Sequence, residues 1–269
     1  LITREVAQRI KNIGVGYVGI SLDGLQDVND KFRGVDGAYK LAMRGIENCV
    51  AVGQRVGLRF TINHHNFEEL DKIFDFIEAE KINRVCFYHL VYSGRGSQML
   101  AEDVTPAESR QAMDTIIRRT KDFAARGLAK EILTVDNHCD GVYMYIKALA
   151  EGDDKTAAQI KKYIGMNGGN RSGIAFAEVD PLGYVHPDQF TQHHTFGNVR
   201  DKKFGDIWTD LSNPILAGLK NRKPLLKGRC AKCKFLDNCN GNFRTRAEAV
   251  TGDFWASDPS CYLTDEEIF

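Results

Sequence analysis

The stretch GVGYVGISLDG (residues 14–24) decides the fold. Its glycines and β-branched residues form an apolar run too short for a helix, and Asp23-Gly24 closes it with a turn pair. Helix signals flank it. Thr3 can cap a helix from Arg4 to Ile13, and a second helix is expected from Ala38 to Val52, with Leu41, Ile46 and Val50 among its apolar positions. The alternation then repeats. VGLRFTIN (56–63) reads as a strand, and Asn66 with Glu69 resembles a capping box for a helix to Glu80. RVCFYHLVY (84–92) reads as a third strand, closed by Ser93-Gly94-Arg95-Gly96. Thr105, Pro106 and Glu108 give N-cap, N1 and N3 signals for a long helix to Arg126, and EILTV (131–135) follows as a strand. Strand–helix–strand order at this spacing means βαβ units, so the fold class is α/β with a parallel sheet. An open sheet and a barrel share this pattern.

Beyond residue 135 the rhythm changes. Helical stretches over 140–150 and 154–164 lead to the glycine-rich MNGGNRSG (166–173). IAFAEVDPLGYVHPD (174–188) then has two extended segments around Pro181-Leu182-Gly183, the pattern of a hairpin. The remainder is short helices and loops around cysteines, with too little apolar periodicity for an independent core, so a covalent or metal staple is expected. The chain accordingly divides into 1–135, a helical linker over 136–173, and 174–269.

Composition narrows the partners. The chain has 269 residues, with 36 Lys plus Arg against 36 Asp plus Glu, so its net charge of zero argues against nucleic-acid or membrane-surface partners. A hydrophobic fraction of 43% excludes wholesale disorder. No apolar run approaches the ~20 residues that cross a bilayer. The odd total of 7 cysteines, with no export signal, points to reduced thiols and a cytoplasmic protein. The first residue is Leu1, already inside an amphipathic pattern, and an N-terminal piece is expected to be missing.

The chemistry concentrates near the C-terminus. Cys230-Ala-Lys-Cys233 is followed after five residues by Cys239 and after twenty-one more by Cys261. A two-residue gap lets two thiolates curl around one centre, the third arrives from the same loop, and the fourth ties the chain end back. A structural zinc site normally uses two matched close pairs; only one is present, and the compact first three ligands sit closer to iron–sulfur arrangements. Both metals stay open on spacing. Cys49, Cys86 and Cys139 read as ordinary buried thiols lying away from this centre. Ser21 and Asp23 end the first strand, where parallel α/β folds place ligands, although Asp-Gly is also plain turn chemistry. Asn63, after the second strand, has the same positional merit as a cofactor contact. His89 shares it weakly, a lone histidine in an apolar strand being more often a satisfied core residue.

Together, ISLDG (20–24), FRG…GAY (32–39), GNVR…FGDIW (197–208) and the late cysteine run resemble radical S-adenosylmethionine enzymes with a C-terminal SPASM-type domain. FYHLVYSGRG (87–96), VDNHCDGVY (135–143), NGGN (167–170), VHPDQF (185–190) and GDFWASDPSCYLTDEE (252–267) are similar to the NirJ and AhbC family within that class. The resemblance implies the remnant of a partial (β/α)6 barrel, and then a small domain in which Cys230, Cys233, Cys239 and Cys261 hold an auxiliary [4Fe–4S] cluster. It implies that Ser21 and Asp23 face S-adenosylmethionine. Such enzymes remodel acid side chains of sirohaem-derived iron tetrapyrroles, such as 12,18-didecarboxysirohaem, towards haem b or haem d1, using a 5′-deoxyadenosyl radical and an external electron donor. Arg95 and Arg171 are then the expected partners of the substrate carboxylates, and His186, with His193 and His194, a candidate ligand to the tetrapyrrole iron.

Two departures matter. Phe243 stands where a full SPASM domain has a further cysteine, and Asp188 stands where its upstream hairpin has another, so only one auxiliary cluster is expected. No C-x3-C-x2-C triplet, which holds the S-adenosylmethionine-cleaving [4Fe–4S] cluster in this class, occurs in the sequence. The chain alone is therefore expected to be inert, and its parallel sheet to be open at one edge. Rival readings are a SPASM radical enzyme acting on a peptide and a non-catalytic, zinc-stapled binding module.

Overall fold

A computed structural model describes residues 2–269. Two compact units are present: one takes the chain up to Leu90 together with Glu102–Asp136, the other Val91–Ala101 together with Asn137–Phe269.

The first unit is built on four parallel strands, β1 (Val18–Ser21), β2 (Val56–Thr61), β3 (Arg84–Tyr88) and β4 (Glu131–Val135), hydrogen-bonded in the order β1-β2-β3-β4. Helices α1 (Arg4–Asn12), α2 (Asp27–Arg33), α3 (Ala38–Ala51), α4 (Leu70–Ala79) and α5 (Pro106–Ala125) precede and connect them. The expected open sheet is found: among the described residues β1 and β4 are its edges, and no closed barrel forms. Thr3 caps α1 through Val6 N–H, and Thr105 with Glu108 completes a capping box on α5. Asn66 departs from expectation. Its side chain makes no cap bond and instead donates to the carbonyls of Asp23 and Thr61, at 2.9 Å each, because two strand ends offer it buried acceptors. Helix α2 was not expected; its polar sequence carries no apolar stripe.

Pleating gives the sheet two unlike faces. Leu58, Phe60, Val85 and Phe87 share one face and are buried. Helix α4 meets that core with Leu70, Ile73, Phe74 and Ile77, spaced i, i+3, i+4 and i+7. Phe87 lies edge-on to Phe60 at 5.7 Å and stacks with Phe74 at 5.4 Å, and Phe74 reaches Phe123 of α5 at 5.7 Å. Each such side chain contributes roughly 1.5–3 kcal/mol by leaving water. The other face carries Gly19, Ser21, Gly57, Arg59 and Tyr88, and is far less covered.

The second unit opens with α6 (Cys139–Ala150) and α7 (Asp154–Asn167). The expected hairpin follows as β5 (Glu178–Val179) and β6 (Tyr184–His186), joined antiparallel by β7 (Gly197–Asn198). Asp180 shapes its turn by accepting from the Leu182 and Tyr184 amides at 2.9 and 2.8 Å. Short helices complete the unit: α8 (Phe204–Thr209), α9 (Pro214–Lys220), α10 (Gly228–Lys232), α11 (Leu236–Cys239), α12 (Arg244–Thr251) and α13 (Asp265–Ile268). No helix among the described residues is long and apolar enough to cross a membrane.

Candidate functional site

The four late cysteines share one cavity of the second unit. Cys230 lies within α10, Cys233 caps its C-terminus, Cys239 ends α11, and Cys261 returns on the loop before α13. Apolar side chains, among them Val142, Phe235 and Leu263, line the rest of the wall together with Arg229 and Asp258.

Three of the sulfurs accept a backbone amide from two residues ahead. Phe235 N–H donates to Cys233 Sγ at 3.4 Å, Gly241 N–H to Cys239, and Leu263 N–H to Cys261. Such donors stabilise thiolate and are the kind of contact that tunes a bound metal centre. At Cys239 the backbone achieves this with a left-handed run, Asn240, Gly241 and Asn242, at φ 53°, 76° and 57°. Asparagine and glycine tolerate that region better than other residues. Gly169 supports the same loop from NGGN: a Cβ there would overlap the Cys239 carbonyl, and Asn170 N–H donates to that carbonyl at 3.1 Å. Buried Arg222 locks the two loops together, donating to Asn170 Oδ1 at 3.1 Å, to Ser172 O at 2.6 Å and to Asn240 O at 3.4 Å. Desolvation pushes its guanidinium down to about 9.

The expectation for Cys139 is corrected. It is fully buried, like Cys49, yet it lines the cavity and hydrogen-bonds to Cys261. Burial first, and then that hydrogen bond, raises the Cys139 thiol; the same bond lowers Cys261 to about 7. Asn137 makes the placement. Its side-chain oxygen accepts from Cys139 Sγ at 3.0 Å and from Asn242 Nδ2 at 2.6 Å, while its nitrogen donates to Ser260 O at 2.9 Å. Sequence spacing carried no sign of this, because Cys139 lies ninety-one residues before Cys230 in the chain.

The donor set fits a cluster better than a single ion. Sulfurs around one zinc, each about 2.3 Å from it, lie within roughly 4.6 Å of one another. Among the described residues, the only trio of possible ligand atoms all within 4.8 Å is His193, His194 and Glu248, and no trio of cysteine sulfurs qualifies. Four thiols on one apolar cavity, supplied with amide donors, are a donor set that a [4Fe–4S] cluster could use.

The two departures from a full SPASM pattern are packed features. Phe243 is buried between Phe190, at 5.7 Å, and the stacked ring of His138, at 5.8 Å. Asp188 is buried and accepts from Ser172 Oγ, Phe190 N–H and Thr191. Arg246 and Asp258 form a fully buried ion pair, and Asp258 also takes the Phe243 and Ser260 amides at 2.9 Å each.

The other expected residues divide by exposure. Ser21 is exposed at the end of β1. Asp23 is fully buried, takes Thr61 N–H at 2.6 Å and pairs with Arg33; burial raises its carboxyl against the opposing pull of that arginine. Asn63 is fully buried and makes a local turn through His65 N–H at 2.8 Å. Buried His89 donates its amide to Val135 O at 3.0 Å. In the second unit Arg95 and Arg171 are exposed. His186 is buried, its Nδ1 2.9 Å from His194 O and its Nε2 3.5 Å from Asp180 Oδ2. Exposed His193 and half-buried His194 both meet Glu248, at 2.7 and 3.0 Å.

No family model matches the chain. Individual proteins do. It is 56% identical over 271 residues to Fe-coproporphyrin III synthase of Methanosarcina barkeri, covering 100% of this chain and 68% of that protein. It is 42% identical over 262 residues to pre-heme d1 synthase of Dinoroseobacter shibae, covering 97% of this chain and 65% of that one. The chain thus spans about two thirds of the length of the curated relatives it matches. The solved structure of anSMEcpe with bound AdoMet superposes with a TM-score of 0.68 at 14% identity, over 97% of this chain and 67% of that one, a likeness of fold. With the fold, the cysteine cavity and this identity over its whole length, the chain belongs to the radical S-adenosylmethionine enzymes of the NirJ–AhbC family.

Proposed function

We propose that this chain forms the substrate- and auxiliary-cluster-bearing part of a radical S-adenosylmethionine enzyme that removes acetate side chains from a sirohaem-derived iron tetrapyrrole, giving Fe-coproporphyrin III on the route to haem b. The observation that carries the reading is the 56% identity to Fe-coproporphyrin III synthase across the whole chain. The 42% identity to pre-heme d1 synthase makes the haem d1 reaction the neighbouring reading.

In this reading Cys230, Cys233, Cys239 and Cys261 hold a [4Fe–4S] cluster, which supplies a site for electron transfer when bound. The amides of Phe235, Gly241 and Leu263 steady the thiolates, and the apolar wall keeps water away. Cys139 keeps its proton and steadies Cys261. No three cysteines of this chain have the spacing of the cluster that cleaves S-adenosylmethionine. Exposed Ser21 would touch S-adenosylmethionine, while buried Asp23 and Asn63 set the loops around it. Arg95 and Arg171 are exposed and would meet substrate carboxylates in this reading. His186, whose Nδ1 meets the carbonyl of His194, and His193, whose Nε2 meets Glu248, are the histidine candidates for the tetrapyrrole iron. An external reductant and the tetrapyrrole are the partners this chemistry needs.

The test is product analysis. The chain joined to a segment that carries the C-x3-C-x2-C cluster, with both clusters reconstituted, is given S-adenosylmethionine, dithionite and 12,18-didecarboxysirohaem anaerobically, and pigments are separated by liquid chromatography and mass spectrometry. Fe-coproporphyrin III is the expected product. Pre-haem d1 would move the protein to the other branch, and 5′-deoxyadenosine formed without any tetrapyrrole change would defeat the reading.

A further inference from the structure

The less covered face of the parallel sheet carries a cation that the reading above does not use. Arg59 lies in β2, in register with Ser21 of β1 and Cys86 of β3, so the three side chains leave the same face. Arg59 is exposed at the centre of that row. Its guanidinium carbon sits 4.8 Å from the centroid of the Tyr88 ring, within the range of a cation–π contact.

The other arginines at this sheet are neutralised. Arg55 and Arg84 both pair with Glu131, at 2.9 and 2.5 Å. No carboxylate lies within 4.0 Å of Arg59 among the described residues. Two glycines clear its approach. A Cβ at Gly19 would stand 3.0 Å from Arg59 Cδ, tighter than ordinary packing allows, and Gly57 lies two residues before Arg59 on the same face. The side chain therefore has its stem against the Gly19 backbone and its guanidinium over a ring, with its N–H donors left for an incoming acceptor. Ser21, which shares its register, ends a parallel strand, the end at which such folds place ligands.

We propose that Arg59 is a carboxylate-binding residue of the active face, receiving either the methionyl carboxylate of S-adenosylmethionine or an acid side chain of the tetrapyrrole. This rests on the radical-enzyme reading for the identity of the ligands, but not for the geometry. A planar fork on an aromatic ring suits a bidentate carboxylate, and a lysine there would keep the charge and lose the fork.

The experiment uses the same two-cluster form of the protein, unaltered and with Arg59→Gln or Arg59→Lys, with two probes measured separately at equilibrium: S-adenosylmethionine, and iron(III) coproporphyrin III followed by its Soret band. Arg59→Gln should weaken one probe by about tenfold and leave the other within about twofold, with Arg59→Lys between. Loss on the first arm assigns the methionyl carboxylate; loss on the second assigns the tetrapyrrole. Should Arg59→Gln fail to fold, Arg59→Lys decides the matter alone by the same comparison. Both probes binding each folded variant as they bind the unaltered protein, with unchanged iron content and circular dichroism, overturns the assignment. If the unaltered protein binds S-adenosylmethionine and not the porphyrin, the tetrapyrrole reading fails while the first arm still decides Arg59.

Discussion

In the sheet-bearing unit the largest fully buried side chains are rings, Phe60, Phe74, Phe87 and Phe123, whereas in the cysteine-bearing unit they are Arg222 and Arg246. The first set is held by removal of apolar surface and needs no partner of any particular chemistry. The second is held by named acceptors: Arg246 by Asp258, and Arg222 by the carbonyls of Ser172 and Asn240 and by Asn170. Burying cations in this way adds little net stability, since desolvation offsets most of what the contacts return. What it adds is position. The carbonyls that Arg222 holds belong to the loops carrying NGGN and Cys239. One unit is thus stabilised by its core and the other is arranged by its polar network, and in the reading proposed above thiolate–metal bonds would supply the stability.

The contrast can be broken most sharply at the metal. Cys233→Ala should abolish metal content, because the ligand set then lacks one thiolate, and should leave residues 1–135 folded, since units with separate cores can fail separately. Metal analysis with circular dichroism checks both; full metal content would show that Cys233 is not a ligand. In the opposite direction, Phe87→Ala should cost about 3–5 kcal/mol in denaturant unfolding of the sheet unit, with metal content unchanged. Asp258→Ala leaves Arg246 charged and buried, and should cost a similar ~3–5 kcal/mol, but in the cysteine unit and with loss of metal, because the Ser260 amide beside Cys261 loses its acceptor.

A smaller effect follows from pH. Burial pushes His138, stacked on Phe243, down from 6.5 to about 4. The folded ring is therefore neutral where the unfolded one takes a proton. That contribution is fully present above pH 6.5 and is lost as pH falls from 6.5 towards 4, approaching roughly 3 kcal/mol. Denaturant melts of His138→Gln should flatten this part of the pH profile; an unchanged profile would show that another group governs it. The smallest change is Thr105→Ala, which removes the α5 capping box and should cost about 1 kcal/mol in the sheet unit alone.

The two units differed as much in how readable they were. The strands and helices up to residue 135 were legible because their burial follows periods of 2 and 3.6, as in Leu70, Ile73, Phe74 and Ile77 of α4. Helix α2 was not, since a polar helix leaves no stripe to read. In the second unit the four cysteines were legible as a motif, and the hairpin through its Pro-Leu-Gly turn. Cys139 was misplaced because its approach to Cys261 depends on Asn137 bonding to Ser260 and Asn242, more than a hundred residues away. The structural occupation of Asp23 and Asn63 was invisible for the same reason: Arg33 and the amides of Thr61 and His65 reach them by the path of the fold. Arg59 was passed over because inside a strand it looks like any solvated charge until register sets it beside Ser21 and above Tyr88.

The claim that thiolate bonds to an iron–sulfur cluster hold the cysteine unit together is tested most directly by anaerobic reconstitution of this chain, followed by iron, sulfide and zinc determination and by electron paramagnetic resonance after reduction. The expected result is about four iron and four acid-labile sulfide per chain, with the spectrum of a reduced [4Fe–4S] cluster that disappears in Cys233→Ala. One zinc per chain without sulfide, surviving exposure to iron and sulfide, would contradict it.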